Sequence, residues 1–277
     1  MTTANSSLIV TDLRVEFDGF VAVGGVSFDA HPGEVRFLIG PNGAGKTTCI
    51  DAITGLSKGT GSVKLGDQEL LGTPVNKIVR LGVGRTFQTA SVFEQLSVLQ
   101  NLDIAAGLYR SAFSLLRARR GVDPRIEEAL EEIGLAGERE TPAGILSHGQ
   151  KQWLEIGMML VQDPRALLLD EPVAGMSQDE RTATGELLQR IAARRTVLVV
   201  EHDMDFMRRY ASRVTVLHQG TVLSEGTVAD VQADSRVQEV YLGTAAAPTI
   251  TGMMAVPEGS PALADRVSSS ATQTKGA

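Results

Sequence analysis

Three short runs of the chain are apolar almost without interruption: Val35-Arg36-Phe37-Leu38-Ile39, Ala166-Leu167-Leu168-Leu169 and Thr196-Val197-Leu198-Val199-Val200. Such runs suit strands of a parallel sheet covered on both faces. Elsewhere apolar and polar positions alternate. Leu13-Arg14-Val15-Glu16-Phe17, Val26-Ser27-Phe28-Asp29 and Ser62-Val63-Lys64-Leu65 predict half-exposed strands, the last antiparallel and ending at Gly66-Asp67. The middle, from about Glu94 to Gln162, reads as mostly helical, with helices near Val98 to Tyr109, Pro124 to Ile133 and His148 to Gln162. The pattern predicts an α/β fold with a mostly parallel sheet, an antiparallel β layer and an inserted helical subdomain over about residues 94–162.

The ends read differently. Residues 1–7 are small and polar and are expected to be disordered. Residues 244–277 are rich in Ala, Ser, Thr, Pro and Gly without periodicity, which predicts a disordered tail and a folded unit over 8–243. At 277 residues and 43% hydrophobic, the chain can bury a sizeable core. A net charge of −7 lacks the cationic excess that nucleic-acid binding rewards, so no nucleic-acid partner is expected. The single cysteine, Cys49, excludes an intramolecular disulfide framework and a cysteine-based zinc site, and reads as a small core residue. There is no basic segment followed by an apolar run of signal-peptide type. No run approaches the roughly 18 apolar residues of a membrane span. A soluble cytoplasmic chain is the expectation.

Each apolar run ends on polar groups. Ile39 leads into Gly40-Pro41-Asn42-Gly43-Ala44-Gly45-Lys46-Thr47, followed by Thr48; Leu169 leads into Asp170-Glu171; Val200 leads into Glu201-His202. Ligands of open parallel sheets bind at the carboxyl ends of the strands, so these segments are expected to converge. The first is a phosphate-binding loop pattern, with glycines that let backbone N–H groups wrap the phosphates before a helix N-terminus. Lys46 supplies a charge to the β- and γ-oxygens, and Thr47 a hydroxyl for Mg²⁺. Asp170 is placed to hold the hydration shell of Mg²⁺, and Glu171 to orient or deprotonate an attacking water. A GTPase is disfavoured, because Asn76-Lys77-Ile78-Val79 lacks the Asp of a guanine-reading motif. In Leu146-Ser147-His148-Gly149-Gln150, Ser147 and Gln150 form a capping box without any ligand. Gly149 is costly in a first helical turn and useful where a backbone approaches an anion. On these residues alone the two readings stand level.

Together and in this order, the motifs resemble the ATP-binding subunit of an ABC transporter, over about Leu8 to Gly243. Leu146 to Gln150 resembles the LSGGQ signature, with His148 in place of the first glycine. The resemblance implies ATP and Mg²⁺ as cofactors and further roles for particular residues. Gln88, in Arg85-Thr86-Phe87-Gln88, matches the glutamine that touches Mg²⁺ and senses the membrane partner. His202 matches the histidine that contacts the γ-phosphate, and Phe17 the aromatic ring against adenine. Ser147, Gly149 and Gln150 would complete the phosphate site of a second ATPase subunit, in a hetero- or homodimer. Two permease subunits and, indirectly, a periplasmic substrate-binding protein are the other implied partners. The implied location is peripheral, on the cytoplasmic face of the membrane. Ser177 stands where the family places a D-loop aspartate, so no such carboxylate is assigned.

More finely, Leu146 to Ile156, Glu171 to Met176, Val200 to Met204 and Glu239 to Gly243 resemble the urea-importer branch of the branched-chain-amino-acid importers. That implies an importer of urea or short-chain amides. The alternatives are a branched-chain amino acid importer, a lipopolysaccharide-type exporter and a soluble ABC-type ATPase. For the last, the stretch between Gln88 and Ser147 is too short for a long coiled-coil arm at about 1.5 Å per residue. Trp153 reads as packing. Arg110, Arg117, Arg119 and Arg120 form either a solvated face or a contact with a permease loop or lipid headgroups.

Overall fold

The alternating N-terminal segments pair into an antiparallel sheet. β1 (Leu8–Phe17) and β2 (Phe20–Ala30) form a hairpin, and β4 (Thr60–Leu65) and β5 (Gln68–Glu69) extend it in the order β2-β1-β4-β5. β1 begins five residues before the alternation read from Leu13. The reason is a bulge: the register shifts between Val10 and Leu13, Asp12 has φ +47°, and its N–H donates to Ser27 Oγ at 2.9 Å. The extra residue inverts the parity of inward and outward positions. This computed structural model describes residues 6–86, 91–107 and 121–245.

The three apolar runs are adjacent strands. β3 (Val35–Ile39), β7 (Ala166–Asp170) and β8 (Thr196–Val200) lie in a six-stranded sheet with β6 (Val83–Arg85), β9 (Arg213–His218) and β10 (Thr221–Gly226). The order is β10-β9-β3-β8-β7-β6, parallel throughout except for β10 at one edge. Every residue of β3, β7 and β8 is buried because the side chains enter two cores in alternation. Phe37, Leu167, Leu169, Val197 and Val199 face one core. Leu38, Leu168, Leu198 and Val200 face the other, shared with β1, β2, β4 and α1 (Lys46–Ile53). Cys49 is fully buried there, and burial pushes its thiol up to about 12. α2 (Val75–Arg80) precedes β6.

Helices α3 (Val98–Ala106), α4 (Pro124–Glu132) and α5 (His148–Leu160) pack together on the first core through Leu102, Ile126, Leu130 and Leu154. Their starts are written locally: Ser97 and Gln100 form a capping box on α3, and Asp123 caps α4 ahead of Pro124. Then come α6 (Gln178–Ala192), α7 (Met204–Tyr210), α8 (Val228–Ala233) and α9 (Ser235–Ala245). Among the described residues, no helix is long and apolar enough to cross a membrane.

Several expected boundaries move. α5 stops at Leu160, two residues short of Gln162, before the left-handed Asp163 (φ +51°) turns the chain. α9 runs through Gly243 to Ala245, two residues beyond the expected end of the folded unit. At the other end Ser6 and Ser7 are held rather than frayed. Ser6 O accepts from Thr196 Oγ1, and Ser7 Oγ lies 2.9 Å from His31 Nδ1. Residues 1–5, 246–277 and the basic run from Arg110 to Arg120 lie outside the described residues, as does the expected helix beyond Gly107.

One polar residue interrupts the buried runs. Arg36 is fully buried, yet its guanidinium donates to Thr215 Oγ1 at 2.8 Å, pairs with Glu225 and lies 5.9 Å from the Phe28 ring centroid. It therefore joins β3, β9 and β10 to the antiparallel sheet. Arg36→Ala removes a buried guanidinium and its bonds to Thr215 and Glu225, while the exposed Glu225 keeps Arg213 at 3.9 Å, and should lower unfolding free energy by about 2 kcal/mol. Arg36→Met should recover part of that loss. Guanidinium chloride unfolding curves with an unchanged slope would measure it; an unchanged midpoint for Arg36→Ala would refute the clamp.

Candidate functional site

Because β3, β8 and β7 are parallel neighbours, their carboxyl ends sit side by side. The loop after β3 winds tightly. Gly40 and Gly45 have φ +155° and +97°, and a Cβ would meet Leu217 O at 2.3 Å or Ala22 O at 2.7 Å. These two positions must be glycine because backbone passes directly behind them. Gly45 is also the N-cap of α1, and a glycine brings no capping side chain. The first N–H groups of α1 are thus left for an anion. Lys46 folds back so that Nζ donates to Gly40 O at 2.7 Å and Pro41 O at 3.1 Å. Burial pushes its pKa down, opposed by the charges of Glu171, Asp170 and Glu201.

A cavity of about 410 Å³ opens beside this loop, lined by Phe17, Phe20, Ala22, Asn42, Gly43, Ala44, Gly45, Lys46, Thr47, Thr48 and Glu171. It falls within the size range of small-molecule sites. Gly40 and Pro41 contribute behind it, through the carbonyls that hold Lys46. Phe17 and Phe20 pair across the tip of the β1–β2 hairpin and are 47% and 68% exposed. Exposed rings beside a phosphate-sized loop make a surface for a flat apolar group.

Asp170, at the end of β7, is 2% exposed. Burial pushes its pKa up, and Arg85 opposes this from 3.7 Å. Its Oδ1 is buried without a hydrogen-bond partner among the described residues, which suits a carboxylate that serves a hydrated cation. Glu171 has φ +51°, strained for a side chain of its type, and its N–H donates to Val200 O at 2.9 Å. His202 Nδ1 lies 3.3 Å from Glu171 Oε1. Beneath them Glu201, 1% exposed, accepts from the N–H groups of Val173, His202 and Asp203. Burial pushes its pKa up. Gln88 lies outside the described residues.

Ser147, Gly149 and Gln150 do not line the cavity. They start α5, and the capping box is complete: Ser147 Oγ accepts from Gln150 N at 3.2 Å, and Gln150 Oε1 from Ser147 N at 2.9 Å. An anion is present as well. Ser147 Oγ donates to Glu180 Oε1 at 2.7 Å. A Cβ on Gly149 would stand 2.6 Å from Glu180 Oε1. His148 Nε2 lies 3.1 Å from Ala174 O, and Ser177 caps α6 in a box with Glu180. The capping-box reading of this segment is therefore met, with the Glu180 carboxylate as a further partner of Ser147.

Sequence reasoning passed over four contributors. Phe20 had a local signal, a second aromatic beyond the Asp18-Gly19 turn. Arg85 pairs with Asp51 and faces Asp170, and Glu201 braces two loops; Glu180 reaches its partners across the fold. These three roles rest on contacts that local spacing does not encode.

The family model described as ABC transporter matches residues 23–174, and one described as branched-chain amino acid ATP-binding cassette transporter matches residues 221–247. The high-affinity branched-chain amino acid transport ATP-binding protein LivG of Escherichia coli is 37% identical over 250 residues, covering 86% of this chain and 98% of that protein. Its counterpart BraF of Pseudomonas aeruginosa is 35% identical over 251 residues, with the same coverage of both. Among solved structures, an ATP-binding cassette of an ABC transporter in its ADP conformation is similar with a TM-score of 0.75 and 29% identity. That likeness covers 85% of this chain and 98% of the other.

The loop geometry sets a test. Gly45→Ala places a methyl against Ala22 O and forces a left-handed alanine, at a cost of roughly 1–2 kcal/mol for the backbone alone. ATP binding measured by titration should weaken at least about tenfold. Gly43→Ala, with open space around its Cβ, should weaken it less. Equal losses would mean that backbone strain alone governs the loop.

Proposed function

Because the chain belongs to the ABC transporter ATP-binding family, in its branched-chain amino acid importer type, we propose that it binds ATP between Phe17 and Glu171 and hydrolyses it to move the permeases of an importer. The observation that carries this reading is the convergence of the phosphate loop, Asp170-Glu171 and His202 on one edge of the sheet. Phe17 and Phe20 receive the adenine. The loop N–H groups and Lys46 receive the β- and γ-phosphates, with Asn42, Thr47 and Thr48 along the same wall. Thr47, Gln88 and, through water, Asp170 would hold Mg²⁺, which would supply positive charge to the phosphate oxygens. Glu171 orients the attacking water and takes its proton; the γ-phosphorus–oxygen bond to ADP breaks as the bond to water oxygen forms. The products are ADP and phosphate. His202 braces the γ-phosphate from the side of Glu171.

Ser147, Gly149 and Gln150 act on ATP held by a second ATPase subunit, since they stand apart from this chain's own cavity. Two permeases and a periplasmic binding protein complete the assembly, with this chain peripheral on the cytoplasmic face. The relatives named for branched-chain amino acid transport support that solute class. The segments around Ser147, Glu171 and His202 favour a second reading, urea or short-chain amides. In either case the solute is recognised elsewhere, because the groups placed here address ATP, Mg²⁺ or protein.

Lys46→Ala should abolish tight ATP binding. Glu171→Gln should keep it and slow phosphate release by about 10²–10⁴. Nucleotide titration and phosphate-release assays separate the two, and a wild-type rate in Glu171→Gln would remove Glu171 as the base. In the reconstituted complex with its binding protein, ATPase stimulation by leucine, isoleucine or valine and not by urea would select the first solute class. The reverse would select the second. Saturable binding of either solute to the isolated chain would overturn the division of labour.

A further inference from the structure

The His202 ring is 59% exposed, with Glu171 Oε1 at 3.3 Å and Glu201 Oε2 at 4.0 Å beside it. A ring held so lightly takes its direction from the main chain that carries it, and that main chain is fastened twice. Glu201 Oε2 accepts from the N–H groups of His202 and Asp203 at 3.0 and 3.2 Å. Asp203 is the N-cap of α7, where its Oδ1 accepts from Phe206 N at 2.8 Å. The second oxygen, Oδ2, pairs with the Arg181 guanidinium on α6. The Asp203 carboxylate thus serves its own helix with one oxygen and a neighbouring helix with the other. Arg181 follows Asp179 and Glu180 at the start of α6, where acids complement the helix N-terminus and a cation does not. Asp203 offsets that mismatch. A cavity of about 260 Å³, with Gln178, Arg181, Asp205 and Arg209 on its wall, leaves the guanidinium loosely packed, so the ion pair sets its position. α6 is a firm anchor for α7 elsewhere: a Cβ on Gly185 would meet the Tyr210 ring at 2.3 Å, and Tyr210 OH donates to Thr182 O at 3.3 Å.

We propose that Arg181 is a positioning residue for ATP hydrolysis, acting through Asp203 to hold the His202 loop in place for the γ-phosphate. This rests on the reading above that His202 braces that phosphate. The loop bearing Glu171 runs into α6 at its cap Ser177, and the loop bearing His202 runs into α7 at its cap Asp203. Glu201 joins the two loops through the N–H groups of Val173, His202 and Asp203. Arg181 and Asp203 join them a second time, at the starts of the helices that follow. With the ion pair broken, Asp203 still caps α7, and the phosphate loop still binds nucleotide. His202 loses one of two restraints on its approach to phosphate, so the loss falls on turnover rather than on binding.

The test uses the assembled transporter, purified with its permeases and its second ATPase subunit, with phosphate release followed against ATP concentration. His202→Ala sets the floor, since turnover at the other subunit's site survives it. Above that floor, Arg181→Ala and Asp203→Asn should each lower kcat about fivefold, the size that a partly exposed ion pair can supply, with KM for ATP unchanged. Asparagine still caps α7, so Asp203→Asn removes the charge and keeps the helix start. The double variant should be no slower than either single one, as expected of two groups that act as a pair. Arg181→Lys should recover most of the rate. Asp205→Asn removes a neighbouring exposed charge and should leave the rate at its parental value. Parental turnover in Asp203→Asn, losses that multiply in the double variant, or the same loss appearing in KM rather than kcat would each overturn the proposal. The premise fails separately. If His202→Ala itself runs at the parental rate, His202 does not brace the phosphate; if it falls while Arg181→Ala and Asp203→Asn stay parental, only the role of Arg181 fails.

Discussion

Burial of β3, β8 and β7 on both faces is the constraint from which the rest follows. A strand whose alternate side chains enter two different cores has no solvent face on which to carry a polar group. Polar chemistry is thereby pushed to the strand ends, and the parallel arrangement brings three such ends to one side. The phosphate loop, the Asp170-Glu171 pair and the Glu201-His202 pair are neighbours for that reason, although more than a hundred residues separate the first from the second. Arg36 is the exception within the strands, and it is accommodated because Thr215 meets it inside and Glu225 reaches it from the edge strand.

At the site, backbone does much of what side chains do elsewhere. Gly40 and Gly45 let the loop pass against Leu217 and Ala22, and the loop's own carbonyls hold Lys46. Glu171 sits in a left-handed conformation fastened to Val200 O. Glu201 gathers the N–H groups of Val173, His202 and Asp203, so that the loops bearing Glu171 and His202 share one buried carboxyl group. Motion of either loop is then felt by the other through a shared acceptor as well as through the His202–Glu171 contact.

What could be read from the sequence was local. The buried runs, the glycine loop and the helix caps each write their structure within a few residues, and the strands and the loop fall where those signals put them. The bulge at Asp12 hid the first half of β1, because one extra residue inverts the alternation on which strand reading depends. Ser6 and Ser7 looked frayed because nothing near them in sequence holds them; Thr196 and His31 do. Arg36 offered no hint of its partners, and Glu180 carried no local signal of its long-range partner. Its contact with Ser147 joins two helices through a loop geometry that no spacing rule contains. The solute is illegible for a different reason: none of the groups at this site has cause to touch it.

The buried thiol of Cys49 has a practical consequence. The thiolate is the reactive form, and burial holds this thiol well above its usual range, so it stays protonated at neutral pH. The residue is also closed to solvent and is the chain's sole cysteine. The native protein is therefore a blank background for cysteine-directed chemistry. A spin label or fluorophore placed on an engineered surface cysteine will report from that position alone, without removal of a native residue and without disturbing the core behind the phosphate loop.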